Sequence, residues 1–74
     1  MARLVPLSPR RVIRALESLG FRRVRQSGSH VFMRRPDGRA TVVPVHPGED
    51  IGRGLLRRII RDARVEVDEF LSRT

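Results

Sequence analysis

The chain has 74 residues, no cysteine and two histidines, which rules out a disulfide framework or thiolate metal site and argues against structural zinc; the length fits one small domain, residues 1–74, held by packing alone. Sixteen basic residues against eight acidic ones give a net charge of +8, and every basic residue is arginine, whose planar guanidinium can donate two parallel hydrogen bonds to one phosphate, so an anionic partner is expected. No apolar run approaches the roughly 20 residues of a membrane span, and the proline-broken start MARLVPLSP is too short for a secretory signal, so a cytoplasmic protein is expected.

Residues 1–7 read as an N-terminal arm. Ser8-Pro9 then starts a helix: serine caps free amides and proline suits the first helical position. Leu7 is placed to staple onto Val12. Val12, Ile13, Leu16 and Leu19 recur at helical spacing, Gly20 stops the helix, and Phe21 can fold back on Leu16.

From Phe21 to Pro44 the apolar period falls to two, in the runs FRRVRQ, HVFMRR and RATVV. Ser27-Gly28-Ser29 and Pro36-Asp37-Gly38 part them, which predicts a three-stranded antiparallel meander. In the middle run His30, Phe32 and Arg34 share one face, and Val31, Met33 and Arg35 the other.

The segment VHPGEDIGRG reads as a loop, and LLRRIIRDA as a second helix. Leu55, Leu56, Ile59, Ile60 and Ala63 form its buried stripe; Arg57, Arg61 and Arg64 line the outside. The tail VEVDEFLSRT predicts a short C-terminal helix docking Val67, Phe70 and Leu71. The sum is an α+β fold of order α-β-β-β-α, with helices on one face of the sheet and the other face open to solvent or a partner.

Few motifs carry chemistry. Gly48, Gly52 and Gly54 lack the lysine and hydroxyl residue of a P-loop. Ser27 and Ser29 near His30 show no oriented base, and Glu49-Asp50 and Asp68-Glu69 sit where helix ends favour acids. No metal cage and no cofactor site is evident. Imidazole, which titrates near neutrality, is suited to moving a proton during phosphodiester cleavage, and nearby arginine to stabilising the extra negative charge.

The ordered set L-x-x-L-G-F (Leu16 to Phe21), R-x-x-G-S-H-x-F (Arg25 to Phe32, with Gly28, Ser29 and His30 at its centre), P-D-G-R (Pro36 to Arg39) and V-V-P-V-H-P (Val42 to Pro47) resembles the HicA family, the toxin component of HicAB type II toxin–antitoxin pairs. The resemblance spans about Ser8 to Leu71. It implies a double-stranded-RNA-binding-domain-like fold and an mRNA interferase, a metal-independent endoribonuclease acting on single-stranded mRNA and silenced by a HicB-like antitoxin. The catalytic histidine of the family falls on His30, with Gly28 and Ser29 as the turn presenting it. His46 is a candidate for the complementary acid or base. Arg22, Arg23, Arg25, Arg34 and Arg35 are the expected phosphate contacts. Gly52-Arg53-Gly54 departs from the usual proline-glycine-threonine start of the second helix.

The rival reading is a non-catalytic RNA-binding module of the same fold, with His30 and the arginines only touching phosphate and 2′-OH groups. A homodimer through the open sheet face or the Met1–Leu7 arm is a further expectation.

Overall fold

In the computed structural model, which describes residues 3–74, Ser8 and Pro9 open the first helix as their order predicts; the arm's first two residues, Met1 and Ala2, lie outside the described residues. The Ser8 hydroxyl accepts the Arg11 amide at 3.2 Å, and helix α1 runs Pro9–Ser18. Its far end closes as a Schellman turn: the Phe21 amide donates to the Leu16 carbonyl and the Gly20 amide to the Glu17 carbonyl, both at 3.0 Å, with Gly20 at φ +98°. Val12, Ile13, Ala15, Leu16 and Phe21 enter the core.

The rest of the arm is docked. Leu4 and Leu7 are buried, and Leu7 forms an antiparallel bridge with Ile51, amide to carbonyl in both directions at 3.1 and 2.6 Å. Ile51, which sits in a stretch of loop-like composition, is a core residue. That anchorage moves the start of the second helix: α2 spans Arg53–Ala63, with Gly52 as its extended N-cap, two residues ahead of the expected Leu55. Gly54 falls in the first helical turn, where the amides have no intrahelical partner yet. Leu56, Ile59, Ile60 and Ala63 are buried as expected, but Leu55 is only half-buried. A third helix, α3 (Val67–Leu71), buries Phe70 and packs on α1.

Strands β1 (Arg22–Ser27), β2 (His30–Arg34) and β3 (Ala40–Pro44) form one antiparallel sheet in the order β1-β2-β3. Alternation sends Val31, Met33, Thr41 and Val43 under the helices, all buried. The buried Thr41 hydroxyl donates to Asp62 Oδ2 of α2 at 2.9 Å, so this inward polar group is satisfied. Val45 to Ser29 (2.6 Å) and Arg35 to Arg39 (2.8 Å) amide–carbonyl bonds show that odd positions join β3 to β2. Ala40, Val42 and Pro44 therefore turn their backbone groups to the outer edge, where Pro44 has no N–H to leave unpaired and Arg58 Nη2 reaches the Val42 carbonyl at 3.3 Å.

The described residues form a slab of 34 × 31 × 17 Å. Its thin axis holds one helical layer and one sheet, so the described residues leave the second sheet face uncovered. This is the α-β-β-β-α order with an additional short helix that the periodicity predicts.

Candidate nucleic-acid interface and active site

Strand register turns the open face into a grid. Ser27, His30 and Pro44 form one row, Arg25, Phe32 and Val42 the next, and Arg22, Arg34 and Ala40 the last. A β-bulge between Arg23 and Arg25 inserts Val24 as an extra residue in β1. Strict alternation would put Arg23 and Arg25 on one face; the bulge separates them. Arg25 pairs with Phe32 on the open face, whereas Arg23 pairs with buried Met33 and borders the groove between β1 and α1.

His30 begins β2 and is exposed. The turn before it is held lightly: Gly28 sits at φ +56°, and Gln26 Nε2 donates to its carbonyl at 3.2 Å. The Ser29 carbonyl accepts the Val45 amide, which carries the β2–β3 pairing one step past Pro44 and brings the exposed His46 to the same end of the sheet as His30. Among the described residues neither imidazole has a carboxylate or other side-chain partner, and both rings are exposed.

The arginines divide sharply. Arg25 lies over the Phe32 ring with its guanidinium carbon 4.2 Å from the centroid, a cation–π contact that fixes its direction. Arg22 and Arg34 stand directly opposite one another with no carboxylate between them. Facing like charges cost stability in a sheet, and an anion laid between them would remove that cost. Arg35, expected among the phosphate contacts, does other work: its Nε donates to the Leu19 carbonyl at the end of α1 (2.8 Å) and its Nη1 to Asp37 (2.7 Å). Arg39 likewise joins Asp37 (2.9 Å) to the Ala63 carbonyl at the end of α2 (3.0 Å). Partial loss of water acts to raise the Asp37 pKa, but the Arg39 amide, the Arg35 hydrogen bond and both guanidinium charges outweigh it and hold the carboxyl below its ordinary 3.8.

A family model describing HicA toxins of bacterial toxin–antitoxin systems matches residues 9–65. The chain belongs to the HicA toxin family. Among curated proteins, none matches it. The part matched to HicA begins at the first residue of α1, passes the end of α2 and contains both histidines and all five arginines expected to contact phosphate. Membership makes this chain a toxin of a ribonuclease toxin family and implies an antitoxin partner. No described helix of this HicA protein is long and apolar enough to cross a membrane, and no cluster of three or more His, Cys, Asp or Glu that could hold a metal ion is present among the described residues.

Two features of the face were hidden from the sequence reading. Phe32 acts as the seat of Arg25, which needs the cross-strand register to be seen. Val24, 59% exposed, reads in the sequence as one more alternating position; nothing local marks it as a bulge.

Proposed function

We propose that this HicA chain is a cytoplasmic mRNA interferase whose open sheet face binds single-stranded RNA and whose His30 moves the proton in a metal-independent cleavage. Support comes from one arrangement: an exposed, unpartnered imidazole shares that face with Arg22, Arg25 and Arg34, none of them neutralised by a carboxylate. The arginines draw the backbone in and neutralise phosphate charge. A ribose 2′-oxygen then attacks the adjacent phosphorus. The new bond is 2′-O–P; the bond that breaks is P–O5′. His30 takes the 2′-OH proton and a proton passes to the leaving 5′ oxygen, for which His46 at the same sheet end is the available acid. The products are a 2′,3′-cyclic phosphate and a 5′-OH. Extra charge on the pentacoordinate phosphorus falls beside Arg25, which Phe32 holds in place. A HicB-like antitoxin that covers this face would keep the toxin silent.

The test is cleavage of a labelled single-stranded RNA in excess EDTA by the wild type and by His30→Ala, with the folding of both checked by circular dichroism. Loss of cleavage in a folded variant, with cyclic-phosphate ends in the wild-type products, is expected. Equal cleavage by both proteins would exclude His30 as the proton carrier; binding without cleavage by either would leave the non-catalytic RNA-binding module. His46→Ala with full activity would remove His46 from the acid role.

A further inference from the structure

The open face is split lengthwise. On the β1 side stand Arg22 and Arg25, with Arg34 between strands; on the β3 side stand Ala40, Val42 and Pro44, with no charge among them. Past β3 the half-buried Leu55 of α2 rises to form a wall, and Val24 leans in from the bulge on the other side. Together they enclose a hollow of about 740 Å³ with His30 on its lining, within the range of about 300–1,000 Å³ common for small-molecule sites.

The core accounts for these side chains only in part: Leu55 packs against its edge and stays half-buried, and Val24 takes no part in it. Helical spacing assigns Leu55 to the buried stripe, yet it also lines the hollow, and Val24 is a large apolar residue of the sheet left 59% exposed. Polar groups stand on the same wall: Arg58, whose Nη2 donates to the Val42 carbonyl at 3.3 Å and whose Nε lies 4.0 Å from Asp62, keeps further N–H donors, and Asp62 takes the Thr41 hydroxyl on Oδ2, leaving acceptor capacity on the carboxylate.

A nucleotide has the matching division, with an anionic phosphate at one side of the ribose and a flat, largely apolar base with a polar edge at the other. We infer that the hollow between Phe32, Val42 and Leu55 holds a nucleobase flanking the scissile bond, while its phosphate lies on the arginine side of the sheet. This rests on the ribonuclease reading and adds to it a base-recognition site: the apolar floor takes the ring, and Arg58 and Asp62 meet its donor and acceptor edge. A protein side chain from a partner fits the apolar floor but gives no reason for the hollow to adjoin His30 and the unpaired arginines.

The test uses chimeric oligonucleotides with one ribose in an otherwise deoxy strand, so that only one bond can be cut. The base is either complete or absent at the ribose itself, or at the nucleotide after it. In the wild type, removing one of these two bases should lower kcat/KM about tenfold, the loss expected from leaving one ring face unburied. Leu55→Glu, checked for folding by circular dichroism, should bring the ratio between complete and abasic substrates towards one. Equal kcat/KM on complete and abasic strands in the wild type would overturn the base site and leave the hollow to a protein side chain, while the ribonuclease reading stood. A wild-type ratio retained in folded Leu55→Glu would overturn it as well. No cleavage of any strand would remove the ribonuclease reading and the base site together.

Discussion

The two turns at opposite ends of β2 are built on opposite principles. Pro36-Asp37-Gly38-Arg39 is closed: Asp37 gathers Arg35 and Arg39, and each arginine reaches on to the carboxyl end of a different helix, Leu19 beyond α1 and Ala63 in α2. Cations at those ends also meet the negative pole of the helix. Ser27-Gly28-Ser29-His30 is open: it has one side-chain bond, from Gln26, and presents an imidazole with nothing attached. One arginine-bearing turn fastens the helical layer to the sheet, and the other end of the same strand is left without such fastening, which is what the proposed RNA site needs. Charge alone therefore does not mark a binding residue; what decides is whether the chain already supplies the counter-group.

Four tests would break or sharpen this contrast. The largest effect is expected at the open end: His30→Ala should lower cleavage by at least about a hundredfold, the usual scale of general acid–base catalysis, with an unchanged melting temperature by calorimetry. A fall in melting temperature as large as that from a closed-end variant would erase the distinction. Next, replacing Arg22 and Arg34 together with alanine should weaken single-stranded RNA binding and flatten the slope of log K against log salt by about 1.4, if each contacts one phosphate. Stability should hold or rise, since the facing like charges are gone.

Gly20→Ala tests the closed side. The residue has φ +98°, and an added Cβ would lie 3.0 Å from Arg35 Nε, so the cap on α1 and the Arg35 contact are strained together. A loss of about 1–2 kcal/mol in urea unfolding is expected, against a smaller loss for Gly28→Ala, where φ is +56° and nothing lies within 4 Å. Equal losses would mean that Arg35 does not hold α1.

The smallest effect is expected at Asp37. Its folded pKa is depressed, so its stabilisation is complete above the ordinary carboxylate range and is lost as pH falls through the folded value. Asp37→Asn should lower the melting temperature by a few degrees at neutral pH and leave cleavage intact, and the difference from wild type should shrink on acidification below about pH 4. A constant difference across that range would show that the carboxylate charge is not what holds the two arginines.

Local signals made most of the fold legible. Ser8-Pro9, the Leu16-to-Phe21 closure and the period-two runs are short-range chemistry, and each forms the element it predicts. The sequence also places His30 correctly at the head of β2, because turn and alternation are both local. Which arginines accompany it depends on longer range. Arg35 and Arg39 find their carbonyls 16 and 24 residues away, and the Arg23–Arg25 separation depends on a bulge that a repeating pattern conceals. Ile51 reads as a loop residue because its partner, Leu7, lies on the far side of the whole sheet in sequence. The expected sets of site residues thus mix two populations that only register separates: Arg22, Arg25 and Arg34 on the histidine face, Arg23 around the edge and Arg35 in the clamp.

The five residues of β2 have a double duty in so thin a slab. Val31 and Met33 are walls of the core, and His30, Phe32 and Arg34, their immediate neighbours, are the exposed surface. A slip of one residue would exchange the two sets completely. The histidine face therefore has no existence apart from the packed interior behind it: a nascent or partly melted copy lacks the surface proposed for RNA, which forms in the same step that the chain becomes a folded protein.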